Sequence, residues 1–217
     1  MSTFKEKFRF VFKALVTALL FSLQSIVYGG WAISVMFVPL LLYLIGIITD
    51  FMRGYGPNLE RDVYLMLFAR GFMVGRVIAM VGFAIFLVAA FEFLRERKKA
   101  SLIKTGLYSV VRHPQYLGII IITIGLNVMV FTLFGNQLKP ICLWLVQVAG
   151  YIGLAKYEER RLEKKFSQQF RNYKNNVPFM FPIKGPSKIP ETLFTLLIAF
   201  IISLVFLTFP FHILRIL

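Results

Sequence analysis

Five long stretches of this chain carry almost no charged residue, and each is long enough to cross a lipid bilayer or nearly so. A spanning helix needs about 20 apolar residues. Only helices and closed barrels satisfy their backbone polar groups in lipid. The chain is 58% hydrophobic and 16% charged, whereas soluble domains average about 45–50% and 25%. We therefore expect an all-α, polytopic membrane bundle and not a soluble globule. The apolar stretches are 14–49, 71–94, 115–134, 138–155 and 191–214.

The number of spans depends on the first stretch. Segment 14–49 is long for one helix and short for two, and Gly29-Gly30 lies near its middle. A break at these glycines gives six transmembrane helices in all. A single tilted span, preceded by an interfacial basic helix over 4–13, gives five. Either way, residues 1–217 are expected to form one integral membrane domain with five or six transmembrane helices.

The basic residues lie in the connecting segments. The chain has 25 Lys and Arg against 10 Asp and Glu, a net charge of +15, and the positive charge is concentrated in 95–115 and 156–188. The positive-inside rule assigns such loops to the cytoplasmic side, facing anionic headgroups. The short connection 135–140 makes the flanking spans a hairpin, which is consistent with both loops lying on one side. The charges lie on no nucleic-acid-binding module, so the expected partner is the lipid bilayer and not nucleic acid.

The sequence contains few of the motifs that are typical of catalytic sites. Cys142 is the only cysteine, and His113 and His212 are far apart, so no short-spaced metal motif is present and no metal is expected. No P-loop, glycine-rich nucleotide loop or activated nucleophile motif is found. If this chain is an enzyme, a cofactor is expected to bring the reactive group.

The first informative motif is Arg112-His113-Pro114, directly before the span 115–134. Proline fits the first turn of a helix, where its missing N–H costs nothing. The free N–H groups and the positive dipole end then face the interface, and Arg112 adds a fixed cation. Such a helix end can bind a carboxylate or a phosphate. The alternative is that Arg112 and His113 only anchor the helix end among headgroups.

The second motif follows the hairpin. Five apolar residues recur every three or four positions, which predicts an amphipathic helix at the membrane surface. Glu158 lies four residues before the first of them, so we expect it to point along the apolar face, where a carboxylate needs a partner. Glu159 is turned from it by about 100°. The five apolar residues are Leu162, Phe166, Phe170, Tyr173 and Val177.

The hairpin should bring the two motifs together, because both flank it on the same side. Arg112-His113 and Glu158-Glu159 are therefore expected to be neighbours. This combination of a cationic helix end, paired carboxylates and aromatic side chains at a lipid-adjacent site is the candidate functional site.

At these residues the chain resembles the superfamily of isoprenylcysteine carboxyl methyltransferases and phospholipid methyltransferases. The resemblance covers 104–182, the expected methyltransferase-like core, and leaves 191–214 as an additional C-terminal transmembrane helix. The serine at position 167 departs from the glycine that is usual there. The matching residues are Gly106-x-Tyr108, Arg112-His113-Pro114-x-Tyr116-x-Gly118, Glu158-Glu159-x-x-Leu162, Phe166, Tyr173 and Val177-Pro178.

The resemblance implies methyl transfer from S-adenosylmethionine to a lipophilic acceptor. It implies a cytoplasmic cofactor pocket, formed with the amphipathic helix, and places Arg112 and Glu158 nearest the reacting centre as catalytic residues. Isoprenylcysteine carboxylate, a phospholipid amine and a small hydrophobic thiol all remain open as acceptors. The residues implied to bind the cofactor are Tyr108, His113, Pro114, Tyr116, Gly118, Glu159 and Tyr173.

Two other functions remain open at the level of sequence. One is a membrane reductase that uses a nicotinamide cofactor, because such reductases share a related C-terminal core. The other is a non-catalytic membrane scaffold or a transporter, although no acidic residue lies near the middle of a span.

Overall fold

The computed structural model consists of helices and their connections. It describes residues 31–55, 59–96, 101–135, 137–186 and 188–211. Within these ranges there are no strands, in agreement with the predicted all-α class. The α-helices are α1 (Trp31–Tyr55), α2 (Leu59–Phe68), α3 (Met73–Glu96), α4 (Pro114–Phe134), α5 (Leu138–Asn176) and α6 (Glu191–Thr208).

Four of the described helices are long and apolar enough to cross a membrane. They are α4, α5, α6 and the segment Arg70–Glu96, in which a 3-10 turn leads into α3. The fifth apolar helix, α1, contains the shorter apolar stretch Val35–Thr49. The span expected before Gly29-Gly30 and the interfacial helix over 4–13 lie outside the described residues. The short helix α2 was not predicted from the sequence.

Helices α3 and α4 pack together through glycines. The buried residues of α3 are small and recur every seven positions, at Gly75, Gly82 and Ala89. A Cβ at Gly75 would lie 2.7 Å from the carbonyl oxygen of Gly125, and one at Gly82 would lie 2.7 Å from that of Gly118. Small residues allow this close approach of helix backbones in membranes. The opposite face of α3 exposes large apolar side chains, such as Met80 and Phe91.

Helix α5 corrects two sequence-based boundaries. We expected a span ending near residue 155 and a separate amphipathic helix, but the helix that begins at Leu138 continues past Ala155 to Phe166, and a short second helical segment follows the kink at Ser167 and ends at Asn176. No proline or glycine separates Ala155 from Phe166, so the change from apolar to charged composition does not end the helix. A single break occurs at Ser167, which has φ of 40° and ψ of −112°. Beyond it, Phe170, Tyr173 and Val177 form a small apolar cluster.

The segment after α5 folds back into the bundle. Phe179 and Met180 are buried in the main core beside Tyr116 of α4 and Tyr151 of α5. The backbone N–H of Arg112 donates to the carbonyl oxygen of Pro178 at 3.0 Å. The connections 101–113 and 177–190 therefore meet at one end of the bundle, which we call the loop end.

Candidate functional site

The connection before α4 is held in place by α3. Gly106 has φ of 60°, a left-handed value that favours glycine, and the backbone N–H of Leu107 donates to Glu92 Oε2 at 3.0 Å. A 3-10 turn over Gly106–Ser109 follows and buries Tyr108. The chain then enters α4, which begins at Pro114 as predicted. Arg112 and His113 are thereby fixed at the loop end.

Arg112 lies at the centre of a network of ion pairs. Its Nη1 is 2.6 Å from Glu159 Oε1, and its Nη2 is 2.5 Å from Glu191 Oε1. Lys156 Nζ adds a bond of 3.0 Å to Glu159 Oε2 and lies 3.7 Å from Glu191 Oε2. The side chains of Arg112 and Glu159 are 1% and 4% exposed, so their charges are removed from water. Neither Nε nor Nη2 of Arg112 has a hydrogen-bond partner among the described residues, so the contact of Nη2 with Glu191 is an ion pair without hydrogen-bond geometry.

His113 and Tyr116 bind the other carboxylate. The Tyr116 hydroxyl donates to Glu158 Oε1 at 2.6 Å. His113 Nδ1 lies 3.5 Å from Glu158 Oε2, and His113 Nε2 lies 3.5 Å from Glu159 Oε1. The rings of His113 and Tyr116 stack at 5.6 Å between centroids. The structure thus brings Arg112-His113 and Glu158-Glu159 together, as the hairpin predicted.

The burial of the two glutamates is the reverse of our expectation. Glu158 was expected on the apolar face, but its side chain is 40% exposed and that of Glu159 is 4% exposed. The partners of each glutamate explain which one is buried. Arg112 and Lys156 compensate the buried charge of Glu159, whereas Glu158 needs only the hydroxyl of Tyr116 and the imidazole of His113.

Charge interactions shift the pKa values of two residues at the loop end, which lies beyond the apolar part of α5. Burial lowers the pKa of His113, but hydrogen bonds and charges from Glu158 and Glu159 outweigh burial, and the pKa is raised above its ordinary value. Burial alone would raise the pKa of Glu159. The hydrogen bond from His113 and the charges of Arg112, His113 and Lys156 outweigh burial and lower the pKa to about 2. Glu159 is therefore a carboxylate at neutral pH.

Hydrogen bonds of two tyrosines, Tyr108 and Tyr173, hold the connection before α4 in place. The Tyr173 hydroxyl donates to the carbonyl oxygen of Tyr108 at 2.6 Å, and Gln115 Nε2 donates to the Tyr108 hydroxyl. Burial raises the pKa of Tyr108 and of Tyr173 above the ordinary value, so both remain protonated. The cofactor contacts expected of these two tyrosines stay a prediction. Their observed bonds fix the backbone beside Arg112.

Gly118 faces α3 and not the network. A Cβ there would lie 2.7 Å from the backbone nitrogen of Phe86 and 2.9 Å from the carbonyl oxygen of Gly82. Helix packing therefore requires a glycine at this position. The cofactor contact expected of Gly118 stays a prediction, as does that of Pro114, which is buried in the first turn of α4.

A cavity of about 430 Å³ adjoins the network. This volume is within the range of roughly 300–1,000 Å³ that is usual for small-molecule sites. Phe179 forms part of its wall and contacts the network directly, because Lys156 Nζ lies 4.5 Å from the centroid of its ring. The wall combines apolar and polar residues, and three of the lining residues are charged, namely Lys174, Lys184 and Glu191. Its other main lining residues are Met180, Phe181, Ile183, Ile189 and Phe194.

Sequence reasoning did not find Glu191, Lys156 and Phe179 as site residues. Glu191 is the first residue of an apolar helix, where an acidic side chain usually complements the helix dipole. Lys156 was counted only among the loop charges. No local pattern indicates Phe179, because its burial depends on the fold-back after α5. The described residues contain no group of three His, Cys, Asp or Glu side chains that could hold a metal ion.

The arrangement is suited to binding an anionic or zwitterionic ligand next to lipid. It provides a buried guanidinium with an unpartnered N–H, a helix N-terminus and two carboxylates, and a cavity with several apolar lining residues lies beside them. These groups can orient a ligand and stabilise its charges. No described residue has the arrangement of an activated nucleophile.

Comparisons with known proteins agree with the geometry. The sequence profile of the phospholipid methyltransferase family matches residues 63–169. Protein-S-isoprenylcysteine O-methyltransferase B of Arabidopsis thaliana is 29% identical over 89 residues, which are 41% of this chain. The match spans 43% of that relative, less than half of its length. No solved structure matches the chain significantly. Both matches support the resemblance of this chain to the superfamily of isoprenylcysteine carboxyl methyltransferases and phospholipid methyltransferases.

Proposed function

We propose that this chain is an integral membrane methyltransferase that uses S-adenosylmethionine and methylates a lipophilic acceptor. One observation carries the proposal: the two motif segments that flank the α4–α5 hairpin meet in a single network at the loop end. In that network Arg112 lies 2.6 Å from Glu159, and Tyr116 lies 2.6 Å from Glu158. Anchoring of helix ends among headgroups would not require the two segments to meet in such a network.

The residues present fit this cofactor in their chemistry. S-adenosylmethionine carries a carboxylate, an amine, ribose hydroxyls and a sulfonium. The first N–H groups of α4 can donate to the carboxylate of the cofactor, which leaves Arg112 for the acceptor. Glu158, the half-exposed carboxylate, can accept from the amine or from a hydroxyl. A hydroxyl reaches Glu159 only by taking the place of Arg112 or Lys156.

When bound, S-adenosylmethionine supplies an electrophilic methyl group that is transferred by in-line displacement. The contribution of this chain is then mainly positioning, which can account for a large part of a rate enhancement. Tyr116 and His113 hold Glu158 on one side, and Glu159 and Lys156 hold Arg112 and Phe179 on the other. The aromatic rings exclude water and can face a cation.

A carboxylate acceptor is the one that these residues favour. A guanidinium binds a carboxylate by paired hydrogen bonds, and a carboxylate needs no proton removed before methylation. The name of the Arabidopsis relative specifies O-methylation at isoprenylcysteine, which is consistent with this assignment. For a phospholipid amine, Glu158 would have to accept the proton, as a general base. A small thiol would arrive as the thiolate and would require neither.

We further propose that the loop end faces the cytosol and that the acceptor enters laterally from the bilayer. The basic residues of 156–188 support this orientation through the positive-inside rule. The apolar residues of the cavity wall support lateral entry, because a lipid chain could pack against them while its polar end meets Arg112.

The first experiment is to titrate the detergent-purified chain with S-adenosylhomocysteine by calorimetry. We expect micromolar binding by the wild type and at least about tenfold weaker binding by His113→Gln and Glu159→Gln, since loss of a charged hydrogen bond costs about 1.5–3 kcal/mol. Glu163→Gln is the matched control. Glu163 lies on the same helix, exposed and paired with Arg171, and its variant should bind as the wild type does.

A parallel titration with NADPH distinguishes the reductase alternative. Saturable NADPH binding, with no S-adenosylhomocysteine binding at millimolar concentration by folded protein, would overturn the methyltransferase proposal. Absence of binding by either ligand would favour the scaffold or transporter alternative.

A further inference from the structure

Glu191 separates the cavity from Arg112. Its side chain is part of the cavity wall, and its Oε1 lies 2.5 Å from Arg112 Nη2. Arg112 itself does not line the cavity. The place where the carboxylate of Glu191 now lies is therefore a direct route from the cavity to the guanidinium.

The two carboxylates bound to Arg112 have different surroundings. The side chain of Glu159 is 4% exposed and is also bound by Lys156 at 3.0 Å. The side chain of Glu191 is 37% exposed, and its second oxygen lies 3.7 Å from Lys156. Displacing Glu159 would leave a buried charge without a partner, which is costly. Displacing Glu191 moves a half-exposed carboxylate into water, so Glu191 is the exchangeable partner of Arg112.

We propose that Glu191 is an internal competitor for anionic amphiphiles at this site. Its carboxylate occupies the place at Arg112 that the anionic group of an incoming amphiphile takes, and the ligand must displace it to bind. The apolar tail of the amphiphile lies in the cavity, against Phe179, Phe181 and Phe194. Because the chain supplies an anion of its own, the buried guanidinium stays paired when no ligand is present.

The charges around the cavity favour an anion once Glu191 has moved. Arg112, Lys156 and Lys174 surround Glu159, with Lys174 Nζ 3.9 Å from Glu159 Oε2. Lys184 adds a further cation at the cavity wall. One buried carboxylate does not balance these cations, so a carboxylate or phosphate is attracted there.

The competitor lies outside the part of the chain that matches the family profile. The profile ends at residue 169, whereas Glu191 begins α6. The inference rests on the proposed function only in placing a ligand at Arg112. It requires no methyl transfer, and it can be tested by binding alone.

The test measures the dissociation constant of octyl phosphate for the full chain in a neutral detergent. We expect Glu191→Gln to bind it roughly 3- to 10-fold more tightly than the wild type, because removing a competing state raises the fraction of protein that can bind. Octanol and inorganic phosphate are titrated alongside: octanol should gain no affinity, and inorganic phosphate should bind either protein more weakly than octyl phosphate does. Glu163→Gln is the control for loss of a carboxylate elsewhere and should leave the dissociation constant of octyl phosphate unchanged.

Unchanged or weaker octyl phosphate binding by folded Glu191→Gln would overturn the inference. Equal affinities of inorganic phosphate and octyl phosphate would overturn the requirement for an apolar tail. If Glu191→Gln does not fold, Glu191→Asp replaces it. The shorter side chain keeps the charge at the start of α6 but reaches Arg112 less well, so a smaller gain is expected, and no gain contradicts the inference.

Titration with S-adenosylhomocysteine separates the two proposals. If the chain does not bind S-adenosylhomocysteine but Glu191→Gln still binds octyl phosphate more tightly, only the methyltransferase proposal is overturned.

Discussion

Ser167 has a backbone conformation that serine rarely adopts, with φ of 40° and ψ of −112°. A side chain is strained at such a φ, and the cost is of order 1–3 kcal/mol. Glycine adopts such a φ without this cost, so a glycine would suit the local break in α5 better than the serine that is present.

We expect Ser167→Gly to increase the free energy of unfolding by about 1 kcal/mol, because the relief of strain exceeds the entropic cost of glycine, which is about 0.5–1 kcal/mol. Denaturant unfolding in detergent, followed by circular dichroism, measures it. Ser167→Ala is the control and should give no gain, since alanine is strained at the same φ. Equal effects of the two substitutions would contradict this explanation.

The positions of single residues were only partly predictable. The hairpin argument correctly placed Arg112-His113 beside Glu158-Glu159, because the short connection 135–140 forces the two flanking helices to lie side by side and antiparallel. It could not decide which glutamate is buried, since both lie within one helical step of the direction towards α4. Lys156 and Tyr116 decide this, and no sequence spacing relates Tyr116 to α5.

At the scale of helices, the approach of α3 and α4 depends on glycines at which a Cβ would meet backbone. Sequence analysis predicted the existence of the long helices well, because apolar length is a strong signal. It predicted the end of the fifth span poorly, because hydropathy reports where a helix leaves lipid and not where it ends. It interpreted Gly118 through the family resemblance and so did not recognise its packing role.

Gly118→Ala should destabilise the chain by about 1–3 kcal/mol, the usual cost of overpacking, because the new Cβ would lie 2.7 Å from the backbone nitrogen of Phe86. Gly153→Ala is the matched control on α5, where nothing lies within 4 Å of the added Cβ. Thermal unfolding of both variants in the same detergent measures the difference. A control as unstable as Gly118→Ala would show that loss of glycine, and not contact with α3, is responsible.

At the scale of the whole molecule, the surface divides into an apolar belt and a charged end. Large apolar side chains such as Met80, Phe91, Phe200 and Leu204 are exposed along α3 and α6, as expected of surfaces that face lipid. The charged residues of the site gather at the loop end. Composition predicted this division, but only the fold-back of 177–190 brings Phe179 and Glu191 to Arg112.

The proposed orientation can be tested with a membrane-impermeant thiol reagent. In a Cys142→Ser background, Gln169→Cys should be labelled in inside-out but not in right-side-out vesicles, because the exposed Gln169 lies at the loop end. Lys139→Cys, near the opposite end of α5, should show the reverse pattern. Labelling of both positions from the same side would rule out α5 as a single span.

Helix α5 is also a mechanical link between the bilayer and the charged network. Its apolar part, 138–155, measures about 27 Å at 1.5 Å per residue, slightly less than a typical hydrocarbon thickness of about 30 Å. The same rigid helix carries Glu159 only one turn beyond that part. A thicker membrane can be accommodated by tilting or by drawing polar flanks inward, and either adjustment moves Glu159 relative to Arg112. Lipid chain length should therefore tune the geometry of the site, so that the membrane acts as an effector as well as a solvent.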